Sequence, residues 1–347
     1  MQKKYSIGTY EFKSKEFFPE SIFSKITDIR VSNPGLVEKI AASRKRRPAL
    51  TTDGKLTILA ADHPARMVTR VGDDPVRMGD RYELLGRILR VVTSPEIDGV
   101  MGTPDIIEEL MIVDHLCQEA GGESFLANKV LLGCMNRGGL AGVSFEMDDR
   151  MTAYTASGIK KMRLDGAKIM FRLDVTEPAS GWTIEYCSRV INELADLGIP
   201  VFIEALAVVK EDGAYKTRKN ADDLIKVIGV ASGLGYTSAM TWLKIPYCDN
   251  YEAVARATTC PILMLGGESK GDPTPTIEEF AKGMKAGPTI RGALVGRNVT
   301  FPGNDDPRAV ACAINGIVHK GFSAEEAIDY LISKRGTGMD DLTRILK

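Results

Sequence analysis

The 347 residues carry 45 Lys and Arg against 46 Asp and Glu, a formal net charge of -1, so no overall field draws the chain to nucleic acid or an acidic membrane. With 44 % hydrophobic residues it can bury a large core, and its length suits one elaborated domain or two smaller ones. The N-terminal stretch MQKKYSIGTYEFKSKEFFPE lacks the apolar run of a signal peptide, and no segment supplies about 18 uncharged apolar residues in a row, so a cytoplasmic protein without a membrane span is expected.

Residues 1–50 read as an N-terminal helical extension. FPESIFSKITDIRVSNPGLVEKIAASRKRRPAL at 18–50 gives one or two short helices and a turn near Pro48, which cap the following domain or meet a partner subunit. The basic run SRKRRP at 43–48 has no interleaved aromatic residues to stack on bases, so it reads as a solvated surface rather than a nucleic-acid site.

From residue 51 the pattern changes. Short apolar runs recur at 56–62, 99–103, 129–135, 167–174, 200–209, 239–246, 261–267 and 292–299, most without the alternation of a sheet that has one wet face. Helical periodicity separates them in DRYELLGRILRVV, TPDIIEELMIVDHLC, SGWTIEYCSRVINELADLG and TPTIEEFAKGMKAG. Helix punctuation agrees: Thr103 precedes Pro104, Thr274 precedes Pro275, and Gly198 closes a helix before Pro200. Eight strand–helix units over about 250 to 280 residues predict an α/β fold, a (β/α)8 TIM barrel over 51–347. LTILAAD is followed by HPARM rather than a Gly-rich turn, which argues against a dinucleotide-binding sheet. DPRAVACAINGIVHKG and SAEEAIDYLISKR supply the closing helices.

Barrel enzymes place reacting groups at the C-terminal ends of their strands. Lys244 stands there in WLKIPY, sharing a face with Trp242 and Pro246, where apolar packing disfavours the ammonium and favours a nucleophilic amine. The alternative is a lysine that carries its charge to solvent or to an acid. Glu204 in PVFIEAL is placed to move protons or to hold that lysine, and Asp62 at the end of LTILAAD is placed to accept a proton from a substrate hydroxyl. His63 and Arg66 follow in the first loop as candidate substrate-binding residues. Arg172 and Asp174, near the end of the fourth strand, are candidates for catalysis and substrate binding respectively, or for an ion pair with each other. After the last two strands, Gly266, Gly267 and Ser269 in GGES and Gly296 and Arg297 in GRNV form candidate phosphate turns, in which glycine exposes backbone N–H groups and Arg adds a charged donor; pairing of Arg297 with Glu268 is the structural alternative.

The six cysteines, at 117, 134, 187, 248, 260 and 312, form no C-x-x-C pair, and His63, His115 and His319 lie in unrelated contexts. No metal site and no cofactor are therefore expected.

Lys244, the first-strand AADHP and the late GGES and GRNV motifs resemble the class I, Schiff-base aldolases of the DeoC/FbaB/LacD superfamily, over roughly residues 50–325, and most of all an actinobacterial-type, barrel aldolase-like branch. The resemblance implies Lys244 as the imine-forming lysine, Asp62 and Glu204 as its acidic partners, and phosphate at the two glycine turns. The fourth strand departs from the pattern: GAKIMFRLD puts Phe171 or Met170 where a second lysine is found, with Arg172 nearby, and Lys168 stands too early to be its equivalent. The implied function is aldol cleavage of a phosphorylated keto-sugar or related polyhydroxy ketone by a homo-oligomer. A sugar-phosphate isomerase or epimerase and a non-enzymatic sugar-phosphate-binding protein are the alternatives.

Overall fold

Strands covered by helices on one side and packed into a closed lumen on the other have no wet face, and the burial of the chain follows that rule. In the computed structural model, which describes residues 5–137, 140–269 and 271–346, every residue of β1 (Leu56–Ala61) is buried. Next come β2 (Gly99–Gly102), β3 (Val130–Cys134), β4 (Gly166–Leu173) and β5 (Val201–Glu211), followed by β6 (Ala214–Thr217), β7 (Thr241–Pro246), β8 (Ile262–Leu265) and β9 (Ile290–Val295). The strand order is β4-β3-β2-β1-β9-β8-β7-β5, and pairing of β4 with β5 closes the ring. All eight ring pairings are parallel. The predicted (β/α)8 barrel is the observed fold.

β6 lies outside the ring. It pairs antiparallel with the far end of β5, Val208 opposite Thr217 and Glu211 opposite Ala214, in a hairpin that rises from the strand's C-terminal end. The turn residues Asp212 and Gly213 both have positive φ, 51° and 81°, the geometry for which Asp-Gly is favoured in two-residue hairpin turns. The eight apolar runs do not reveal this insertion.

Two apolar layers position the mouth. Leu56, Ile58 and Ala60 of β1 point into the lumen and pack with Met101, Leu132, Phe202, Leu263 and Leu294. The alternate residues of the same strands, Leu59 and Ala61 for example, join the larger cluster beneath the helices. This period of two sends Asp62, Glu204 and Lys244 into the lumen above its apolar floor.

The helices Glu20–Ser32 and Leu36–Ser43 precede the barrel. The basic run after them corrects the solvated-surface reading. Arg44 is 6 % exposed and pairs with Asp165 at 2.9 Å, while Arg46 reaches the same carboxylate and Arg47 reaches Asp98. These guanidiniums tie the extension to buried acids just ahead of β2 and β4, so their charge is spent within the fold. A fully buried Arg90–Asp306 pair, 2.6 Å apart, ties the helix Arg81–Val92 to the start of the helix Pro307–Asn315, and Arg90 also donates to the carbonyls of Thr337 and Gly338. Among the described residues no helix is long and apolar enough to cross a membrane.

Candidate active site

Four charged side chains meet at the top of the lumen. Glu204 of β5 pairs in register with Lys244 of β7, and its Oε2 accepts from Lys244 Nζ at 2.9 Å. The same oxygen lies 2.8 Å from Lys168 Nζ of β4, which also donates to Asp62 at 3.0 Å. Two lysines and two carboxylates thus form a chain, Asp62–Lys168–Glu204–Lys244, in which every side chain is at most 7 % exposed.

Lys168 corrects the expectation drawn from its place in the strand. In register it stands beside Phe202, two residues below Glu204, yet its long side chain climbs a pleat to reach Glu204 and Asp62. Met170 and Phe171, the residues expected in its place, are buried apolar side chains.

The environment separates the two lysines. Burial disfavours the Lys168 ammonium, but Asp62 and Glu204 outweigh it and raise its pKa. Burial also lowers the pKa of Lys244; Glu204 opposes the shift, and the neighbouring charge of Lys168 reinforces it. Lys244 lines a cavity of about 250 Å³ at the barrel mouth, whereas Lys168 is fully enclosed. Lys244 is therefore the amine that combines access with a weakened proton. Both carboxylates are held below their ordinary range: burial raises their pKa, but Lys168 together with Arg66 for Asp62, and Lys168 together with Lys244 for Glu204, lowers it further.

The cavity wall brings together most of the residues singled out by sequence. His63, Arg66, Glu204, Lys244, Gly266, Gly267, Gly296 and Arg297 all line it. His63 has its pKa pushed down to about 3 by burial, against the pull of Asp62, so the ring is neutral over the physiological range. Asn298 joins the two glycine turns by donating to the Gly266 carbonyl at 2.7 Å, which makes them one wall. Arg297 pairs with the exposed Glu268 at 3.2 Å, while its buried Nε has no hydrogen-bond partner. Gly267 has φ +75°, a left-handed conformation that favours glycine.

Four candidates lie off this wall, the first being Asp62, which is reached through Lys168. Arg172 forms an ion pair with Glu146 rather than with Asp174 and also donates to the Glu146 carbonyl at 2.5 Å. Asp174 accepts from Thr176 N at 2.9 Å and Thr176 Oγ1 at 2.7 Å, closing the turn after β4. Ser269 donates its hydroxyl to the Phe301 carbonyl and lines a smaller neighbouring cavity with Arg70 and Glu268. Conversely, Thr217 and Lys219, which flank the end of the β5–β6 hairpin, line the main cavity without having been expected there. A larger groove of about 930 Å³ lies between the helices Thr274–Gly283 and Ala324–Lys334, away from the lysines. Among the described residues no three His, Cys, Asp or Glu side chains are grouped so as to hold a metal ion.

A family model described as Cgl0159-like matches residues 54–315. The crystal structure of Cgl0159 from Corynebacterium glutamicum is 35 % identical, with a TM-score of 0.81, covering 88 % of this chain and 99 % of that one. A 2-amino-3,7-dideoxy-D-threo-hept-6-ulosonate synthase of Archaeoglobus fulgidus is 25 % identical over 190 residues, 55 % of this chain and 67 % of that protein. An uncharacterized aldolase of Saccharolobus solfataricus is 30 % identical over 162 residues, 45 % of this chain and 54 % of its own length. In fold the chain is also like the fructose-bisphosphate aldolase of Slackia heliotrinireducens, with a TM-score of 0.60, 12 % identity and 97 % of each chain covered.

Proposed function

The chain belongs to the Cgl0159-like family, and from its site we propose that it is a class I aldolase, reversibly cleaving a phosphorylated keto-sugar or related polyhydroxy ketone through an imine on Lys244. The observation that carries this reading is the pair of lysines on one carboxylate, of which Lys244 alone faces the cavity and has a depressed pKa.

In this mechanism Lys244 passes a proton to Glu204, 2.9 Å away, and its neutral amine adds to the ketone carbon while a second amine proton moves to the oxygen. The proton held by Glu204 then leaves with the carbinolamine hydroxyl as water, and an iminium remains beside the carboxylate. Asp62 or Glu204 accepts the proton of the hydroxyl on the β carbon. The bond between the α and β carbons breaks, its electron pair forms the enamine, and an aldehyde departs. Protonation of the enamine and hydrolysis restore Lys244 and release the ketone product. Lys168, whose pKa these two carboxylates raise, keeps Glu204 and Asp62 anionic between turnovers. The turns at Gly266–Gly267 and Gly296–Arg297 receive the phosphate and direct the ketone toward Lys244.

Incubation with phosphorylated ketoses and borohydride, followed by peptide mass spectrometry, is expected to find a reduced adduct on Lys244, and Lys244→Ala to lose orders of magnitude in turnover. A fully active Lys244→Ala enzyme sinks the assignment. Product analysis separates the alternative, because an intact carbon skeleton without an adduct indicates isomerisation and two carbonyl fragments indicate cleavage.

A further inference from the structure

The β5–β6 hairpin returns the chain to the barrel mouth at a fixed place. The Arg218 amide donates to the Ala207 carbonyl at 2.9 Å, and the Arg218 side chain turns to Asp223 at 3.3 Å. Asn220 then caps the next helix by accepting from Asp223 N. Lys219, held between these two anchors, projects to the glycine wall. Its Nζ comes within 3.3 Å of where a Cβ on Gly267 would stand, and it lines the cavity that contains Lys244. Among the described residues it has no ion-pair partner.

The charges of the site leave Lys219 and one other cation unmatched. Asp62 and Glu204 balance Lys168 and Lys244, Glu268 balances Arg297, and His63 is neutral. Arg66 and Lys219 remain, both on the cavity wall and both without an acidic ion-pair partner among the described residues; the buried Arg66 Nε also lacks a hydrogen-bond partner. A phosphate monoester, with roughly -1.5 to -2 charge near neutral pH, matches two such cations. A second phosphate would leave charge unmatched within the same 250 Å³.

We propose that Lys219 is a specificity-determining residue that completes, with Arg66 and the Gly266–Gly267 and Gly296–Arg297 turns, a site for one dianionic phosphate, so that the ligand is a monophosphate. The inference rests on the phosphorylated-substrate part of the function proposed above and adds to it the residue and the charge of the ligand. The hairpin is then the device that selects the ligand, since without it no residue of β6 or its exit would reach the wall.

Inorganic phosphate is the probe, titrated calorimetrically into the full-length wild type, Lys219→Ala, Lys219→Arg and Lys216→Ala. Lys216 lies on the same hairpin but pairs with Glu211 and Asp212 away from the cavity, so it controls for disturbance of the hairpin. Lys219→Ala is expected to weaken phosphate binding about tenfold or more, Lys219→Arg to recover most of it, and Lys216→Ala to match wild type. With any turned-over monophosphate, Lys219→Ala is expected to raise KM with little change in kcat and to spare the unphosphorylated analogue. Wild-type phosphate affinity in Lys219→Ala, or an equal loss in Lys216→Ala, overturns the proposal. Failure of the aldolase reading is seen separately, as absence of a borohydride adduct on Lys244 in the wild type, and leaves the phosphate titration decisive for Lys219.

Discussion

Replacing Lys168 by Met removes an enclosed charge while keeping most of the side-chain volume, and its effect on Lys244 can be worked from the geometry. Both ammonium groups contact the same oxygen of Glu204, at 2.8 and 2.9 Å, so they stand within about 6 Å of each other; at an effective dielectric constant of about 20 their repulsion is roughly 3 kcal/mol, or about two pH units. In the wild type burial and this repulsion lower the pKa of Lys244 against the pull of Glu204. Losing Lys168 leaves Lys244 more firmly protonated, and the acid limb of imine formation should move to higher pH by one to two units. Asp62, 2 % exposed, loses its main cation at the same time. Its depressed pKa contributes stability that is present above the unfolded carboxylate value and lost as pH falls through the folded one, so Lys168→Met should destabilise the fold by about 3–5 kcal/mol near neutral pH. Adding Asp62→Asn should recover much of that loss. The assay is the rate of borohydride trapping on Lys244 against pH, with thermal unfolding measured alongside. An unchanged pH profile in a folded Lys168→Met protein would refute the reasoning.

At Gly296 a Cβ would lie 2.4 Å from His63 Cε1 and 3.3 Å from the Ala60 carbonyl, so Gly296→Ala should displace the His63 ring, weaken phosphate binding and cost about 1–3 kcal/mol in stability. Calorimetry and thermal melts check this, and a Gly296→Ala/His63→Ala protein that is no more stable than Gly296→Ala refutes the steric cause. His319 bonds Asp53 at 2.8 Å and Asp98 at 2.9 Å, and although burial opposes it, these carboxylates raise its pKa. Its stabilisation is therefore complete below the ordinary imidazole value of about 6.5 and lost as pH rises through the higher folded value. The difference in Tm between wild type and His319→Gln should be large near pH 6 and shrink at alkaline pH; a pH-independent difference contradicts the assignment.

The barrel was legible because covered strands leave a direct trace: LTILAA is apolar but for Thr57, and the helices between strands keep a stripe three and four residues apart. Lys244 and Glu204 were legible for the same reason, as charges interrupting such runs. Lys168 was not, because height in a closed barrel is not counted from one strand's own end. Strands are tilted and staggered, and a lysine near the start of β4 can place its amine level with Glu204 of β5 by extending one pleat upward. Arg172, four residues further along, is carried past the cluster to Glu146. The glycine turns were readable as a pair because β8 and β9 are neighbours in any barrel of this order, and Asn298 supplies the bond that joins them. Lys219 has no periodic context to betray it, and its placement depends on the hairpin that turns at Asp212-Gly213. Burial thus made the scaffold and two charged groups of the cavity wall visible in one dimension. The positions of Lys168 and Lys219 depend on stagger and on an insertion, and follow from closure of the barrel rather than from any local pattern.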